Sequence, residues 1–267
     1  MVLTSYQHLI ATRERDIGLI VLNRPDVMNA LNLTIVQELE AAMAELASAV
    51  RVVAIRGAGG NFCTGADLTY IDAVRTDPPR LRMFIEQIQR AFLAIERCPV
   101  PVVACVEGYA LAGGFELIQA CDIVVAADDA QLGDQHARFG LIPGGGGTQR
   151  LVQLVGRQRA SALLYTGDRI SGREAVDWGL VYQSFPSEKL WMCTDTLLKR
   201  IAGGSLPGLI RVKRLIGTTL DAPRESNLKW EVAEFCDYMQ EAWEPQEGLK
   251  AFCGRRTPEF QPRSDGE

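Results

Sequence analysis

Apolar residues along the chain follow two rhythms. Short runs, IGLIVL (17–22), VVAIRG (52–57), VVACVEG (102–108) and CDIVVA (121–126), close on Gly, Asn or Asp and predict buried strands. Between them, 34–50 and 80–97 place apolar residues with a 3.6-residue period, which predicts amphipathic helices. In the first of these, Leu39, Met43, Leu46 and Val50 lie on one stripe, and Thr34 is the candidate N-cap. Strands separated by helices indicate an α/β architecture.

After about residue 187 the strand pattern stops. SEKLWMCTDTLLKRIA, LPGLIRVKRLIGTTL and PRESNLKWEVAEFCDYMQEAW all read as helices. In the last, Leu228, Val232, Phe235 and Met239 follow the i, i+4, i+7, i+11 rhythm of a buried stripe. The plain expectation is packing on the chain's own body. A subunit interface is the alternative, favoured by Trp230 and Trp243 on other faces. The expected organisation is an α/β core over 1–190, a helical region over 191–262 and a disordered tail over 263–267.

Composition narrows the function classes. At 267 residues and 47% hydrophobic, the chain can bury a single large core without staples. A net charge of -5 argues against a nucleic-acid partner. Seven cysteines, odd in number and without C-x-x-C, suit reduced thiols better than disulfides or zinc. The N-terminus lacks the basic and apolar regions of a signal peptide. The apolar tract 100–120 contains Pro101, Glu107 and Glu116, so it is not read as a membrane span. A soluble, cytoplasmic protein is expected.

Several motifs are excluded. GAGGNF (57–62) ends in Phe62, with no helix pattern opening there, so it is no dinucleotide fingerprint. The glycines 144–147 are not followed by Lys-Ser/Thr, which rules out a P-loop. There is no G-x-S-x-G and no H-E-x-x-H.

Two junctions remain. In NFCTGADL (61–68), Gly65 permits an unusual backbone angle that can turn the N–H of Ala66 outward. In EGYALAGGFEL (107–117), Ala112, Gly113 and Gly114 would open a helix with free N–H groups and a positive dipole end. Two such donors converging on one oxygen make an oxyanion hole. Glu116 lies three residues after Gly113, in the first turn, between apolar Phe115 and Leu117. Such surroundings raise a carboxyl pKa toward acid/base duty. The same placement also suits a Glu that only complements the helix dipole.

The motifs LNRPDVMNALN (22–32), GNFCTGADL, EGYALAGGFEL, CDIVVA and GLIPGGGGTQRL, in this order, resemble the crotonase superfamily of enoyl-CoA hydratases and isomerases. The resemblance continues through LLYTGDRISGREAVDWGLV to FCGRRTPEF and so covers nearly the whole chain. It implies an α/β, crotonase-like spiral of ββα units with a C-terminal helical trimerisation region, assembled as a homotrimer or dimer of trimers. It implies an acyl-CoA thioester substrate whose enolate is held by the N–H groups of Ala66 and Gly113. Met28, Ala30, Asp67 and Leu68 match the segments that line the coenzyme A site, and Arg256 is placed to meet coenzyme phosphates from a neighbouring subunit. Coenzyme A is then part of the substrate, and neither a separate cofactor nor a metal is expected. Glu116 matches one of the two glutamates with which hydratases hold and activate water.

The chain departs from the family at the second glutamate. Counting back from Pro143-Gly144, that position holds His136, one of only two histidines. Imidazole titrates near neutral pH and can serve as acid or base; the alternative is a loop histidine with no chemical part. Asp134 could orient its ring or cap a turn. Hydration of an enoyl-CoA is the leading expectation. Isomerisation by Glu116 alone and hydrolytic carbon–carbon cleavage of a keto acyl-CoA are the alternatives. A non-catalytic scaffold is disfavoured, because both donors and the carboxylate are present.

Overall fold

In the computed structural model, which describes residues 4–218 and 222–260, the chain opens with a hairpin. β1 (Leu9–Glu14) and β2 (Ile17–Leu22) pair antiparallel, with Leu9 opposite Leu22 and Glu14 opposite Ile17. Arg15, in the two-residue turn, takes a φ of 51°, as tight hairpin turns require. Seven strands follow: β3 (Val52–Gly57), β4 (Val102–Val106), β5 (Tyr109–Leu111), β6 (Ile123–Ala127), β7 (Gln131–Gly133), β8 (Ile170–Ser171) and β9 (Gln183–Phe185). One sheet has the order β1-β2-β3-β4-β6-β9 and is parallel from β2 onward; β5, β7 and β8 form a second, smaller sheet.

The two sheets explain where the predicted strands stop. The run over 102–108 ends at Val106 because Glu107-Gly108 turns the chain from the first sheet into the second. Likewise β6 hands over to β7, and each second strand runs on into a loop that leads to a helix. This ββα turn is the repeating unit of the fold, and it delivers functional loops from the ends of β5 and β7. The strand expected over 121–126 begins at Ile123, since Cys121 still accompanies the end of the preceding helix.

The helices are α1 (Leu33–Ala47), α2 (Leu68–Val74), α3 (Pro78–Glu96), α4 (Gly113–Gln119), α5 (Gly147–Thr166), α6 (Gly172–Asp177), α7 (Ser187–Ala202), α8 (Leu206–Gly217), α9 (Arg224–Glu241) and α10 (Glu244–Cys253). The stripe Leu39, Met43, Leu46 and Val50 is fully buried, and α1 packs beside α3. The cap of α1 is Asn32, not Thr34: Asn32 Oδ1 accepts the Ile35 N–H at 3.0 Å. Thr34 sits one residue inside the helix, where its own backbone is already helical.

Residue 190 falls within α7, whose Leu190, Thr194 and Leu198 are buried against the sheet, so the helical region grows out of the core's last helix. Buried polar ties hold it there. Arg51 Nη1 donates to the carbonyls of Ala202 and Gly204, and Lys213 Nζ on α8 reaches Asp122 Oδ2 at 2.6 Å and two carbonyls of the core.

One expectation is overturned on α9. Leu228, Val232, Phe235 and Met239 do not pack on the chain's own body; they are 40–65% exposed. The side of α9 that meets α8 is polar instead, formed by Glu234, Tyr238 and Glu241 at i, i+4 and i+7. Glu234 pairs with Arg211 and Arg214, and Tyr238 bonds Ser205, so the apolar stripe on the other side is left uncovered. The tail 263–267 lies outside the described residues. Among the described residues no helix is long and apolar enough to cross a membrane, and the tract 100–120 forms β4, β5 and α4. All seven cysteines are free thiols.

Candidate active site

The two candidate donor loops abut. Gly65 has a φ of +94°, and its carbonyl accepts the Leu31 N–H at 2.7 Å. In a trans peptide the N–H points opposite to the carbonyl, so the Ala66 N–H is turned away from Leu31. Gly113 is the first residue of α4, and the Ala112 carbonyl behind it accepts the Glu116 N–H at 2.9 Å, aiming the Gly113 N–H out of the helix end. A side chain on Gly65 would lie 2.7 Å from Gly113 N, and one on Gly113 would lie 3.4 Å from Ala66 N. Neither N–H has a hydrogen-bond partner among the described residues. Ala112, between the loops, holds an uncommon positive φ of 46°, the kind of backbone strain that accumulates at functional sites.

Glu116 is 2% exposed and stands one turn into α4. Its partners lie in the glycine run: Oε1 accepts the N–H groups of Gly145 and Gly147, each at 2.8 Å. The four glycines therefore wrap a carboxylate with the open end of α5, which is why a chain at Gly145 with any side chain would strike Glu116 Oε2 and Phe92. Oε2 has no hydrogen-bond partner among the described residues. Burial raises the Glu116 pKa, against the opposing pull of the Gly147 N–H and the charge of His136. The carboxylate is thus held by one oxygen and desolvated, in more than a dipole-complementing part.

His136 follows β7, at the start of a single turn of 3-10 helix. Its Nδ1 lies 2.9 and 3.0 Å from the two oxygens of Asp134, which is 1% exposed, and its backbone N–H donates to Asp134 Oδ1 at 3.1 Å. Asp134 therefore both orients the ring and caps the turn. Burial by itself would lower the His136 pKa, but the hydrogen bond and charge of Asp134, with the charge of Glu116, outweigh it and leave it raised. The two acid/base candidates sense each other's charge and form one electrostatic unit.

The proposed rim residues also converge. Residues 28–31 run beside 64–67: Thr64 N–H donates to Met28 O, and Asp67 N–H to Leu31 O. Met28 and Leu68 keep 44% and 52% of their surface exposed at this edge. Ala30 is buried, and Asp67 spends its carboxylate on capping α2 and on Arg24. Two residues of this rim were not singled out from the sequence. Arg24 clamps it, with Nη1 on the Ala30 carbonyl at 2.5 Å and Nη2 on Asp67 Oδ2 at 3.0 Å. Asn29, fully buried at a φ of 57°, accepts from Arg24 N–H and donates to the carbonyls of Ala58 and Asn61. Arg256 is engaged within its own chain: both terminal nitrogens pair with the carboxylate of Glu247 at 2.6 and 2.8 Å.

The sequence model of the enoyl-CoA hydratase/isomerase family matches residues 12–263. The chain belongs to this family. Among its relatives, the 2,3-dehydroadipyl-CoA hydratase of Escherichia coli K12 is 33% identical, over 96% of this chain and 99% of that protein. The crotonyl-CoA hydratase of Syntrophomonas wolfei is also 33% identical, over 96% and 98%. The crystal structure of an enoyl-CoA hydratase from Bacillus anthracis superposes with a TM-score of 0.91 at 32% identity, over 96% of this chain and all of that one. As a member of the enoyl-CoA hydratase/isomerase family, the chain has the crotonase fold and is a hydratase-like enzyme of acyl-CoA thioesters.

Proposed function

We propose that the enzyme adds water across the double bond conjugated to an enoyl-CoA thioester, with Ala66 and Gly113 as oxyanion donors and Glu116 and His136 as the acid/base pair. The observation that supports this most is the meeting of two unpartnered N–H groups next to a buried carboxylate with one oxygen tied down and one open. Water gives a proton to Glu116 Oε2 while its oxygen bonds the β-carbon. The π electrons move onto the thioester oxygen, and the enolate is held by the two N–H groups, each worth about 3–4 kcal/mol to such an intermediate. His136 then delivers the proton on Nε2 to the α-carbon as the enolate collapses. Transfer of the proton from Glu116 to His136 restores both groups, and the sum is one water added.

The charge arrangement favours this division of labour. Asp134 and Glu116 favour the imidazolium, a donor, whereas burial raises the Glu116 pKa and makes its carboxylate a stronger base toward water, with the N–H groups on Oε1 and the neighbouring imidazolium opposing that rise. Coenzyme A enters as part of the substrate along the rim of Met28, Ala30, Asp67 and Leu68. The exposed stripe Leu228, Val232, Phe235 and Met239 supports self-assembly through α9, which the family resemblance makes a homotrimer or dimer of trimers, and we take the enzyme to be soluble and cytoplasmic.

His136→Ala tests the pairing. Hydration should fall about tenfold or more, while any isomerisation run by Glu116 alone stays nearly intact. In the wild type, activity should be lost as pH rises through the His136 pKa, which lies above the ordinary value of about 6.5. That alkaline limb should disappear from the variant. Hydration at full rate with an unchanged profile would make the imidazole a bystander and favour isomerisation by a single base.

A further inference from the structure

We infer that Asp134 is a positioning residue: its buried carboxylate grips both Nδ1 and the backbone N–H of His136, fixing the ring so that Nε2 is the one nitrogen left to meet a substrate. The inference deepens the reading of His136 as proton donor and rests on it for its catalytic consequence. Its structural content stands separately. Asp134 is the first residue after β7, so the rigid end of the small sheet anchors it, and it is all but inaccessible to water. Both carboxylate oxygens lie within 3.0 Å of Nδ1, and Oδ1 also accepts the backbone N–H at 3.1 Å. Which ring nitrogen keeps its proton is set by the partner of the other. A carboxylate accepts only, so Nδ1 must present N–H to it in the neutral as well as the charged ring.

The charges that act on the ring come from two elements, Asp134 beside it and Glu116 on α4. The nearby cations are engaged elsewhere: Arg138 faces Asp168, and Arg169 donates to Gln135. Asp134 thus holds the ring in one tautomer and favours its charge, so that the proton for the α-carbon resides on Nε2 when the thioester arrives. No atom of Asp134 need touch the thioester.

The chain lends itself to a direct test, because His8 is its only other histidine and can be removed to assign the signals. Nitrogen-15 NMR of the imidazoles across pH should give His136 a titration midpoint above about 6.5 and, at high pH, a neutral ring protonated on Nδ1. A neutral ring protonated on Nε2, or a midpoint at or below about 6.5, would overturn the inference in the wild-type protein, with no variant needed. In Asp134→Asn the amide oxygen can still accept from Nδ1, but the charge is gone, so the midpoint should drop. An unchanged midpoint would overturn the inference. In turnover, Asp134→Asn should lower kcat about tenfold or more with KM nearly unchanged, and move the alkaline limb to lower pH by the amount the NMR midpoint moves. If the NMR midpoint falls and the limb stays, Asp134 does hold the ring, and it is the reading of His136 as proton donor that fails.

Discussion

Replacing Glu116 by glutamine is expected to reduce enoyl-CoA hydration by a factor on the order of 10² to 10⁴ while leaving acyl-CoA affinity within a few-fold. The amide oxygen can still accept the N–H groups of Gly145 and Gly147, which bond Oε1 at 2.8 Å, so the loop over the site stays in place. The amide nitrogen, at the position of Oε2, cannot take a proton from water. The same substitution should leave thermal stability unchanged or raised. Burial raises the pKa of Glu116, so the fold prefers the protonated form and loses stability as pH climbs through that value. The neutral amide escapes this loss. The difference in Tm between Glu116→Gln and wild type should therefore be largest at neutral pH and vanish in acid, where both side chains are uncharged. Calorimetric melts over pH, beside the kinetics, would show it. A variant that loses both turnover and stability would mark Glu116 as a structural residue.

Gly65→Ala should be nearly as damaging for a different reason. The added methyl would sit 2.7 Å from Gly113 N and 2.8 Å from the Ala112 methyl, at a φ of +94° that an alanine rarely adopts. The two donor loops would have to separate. Losing the alignment of one oxyanion donor costs about 10² to 10³ in turnover, and the backbone strain adds about 1–3 kcal/mol of destabilisation. Gly60→Ala is the control, since Gly60 also has a positive φ, of 75°, but nothing lies within 4 Å of a side chain there. It should share the strain and keep the rate. Equal losses of rate in both variants would show that loop flexibility, and not the apposition of Ala66 and Gly113, sets the activity.

The features that position the site differ in how far local pattern reveals them. IGLIVL and VVAIRG coincide with β2 and β3 to the residue, because strands buried on both faces are continuous apolar runs. β5, β7 and β8 have two or three residues each and went unseen, since pairing in the small sheet depends on partners far along the chain. Gly65, Gly113 and Glu116 were legible because a glycine before a polar turn and a helix opening leave local signatures. The glycine run 144–147 was legible only as something other than a P-loop; that it delivers N–H groups to Glu116 is a contact across 29 and 31 residues. Arg24 and Asn29 act through carbonyls of distant loops, which no sequence spacing encodes. On α9 the period was right and the direction wrong. An apolar stripe states that something covers it, not whether that is the same chain.

The most direct measurement is the product formed from a straight-chain 2-enoyl-CoA in water enriched in oxygen-18, with chelator present and the thioester in excess, followed by mass spectrometry. The proposed chemistry predicts a 3-hydroxyacyl-CoA carrying one heavy oxygen on the β-carbon, formed by the wild type and nearly lost in Glu116→Gln. A double bond moved along the chain without label, a cleaved acyl chain, or labelled product formed equally fast by Glu116→Gln would contradict it.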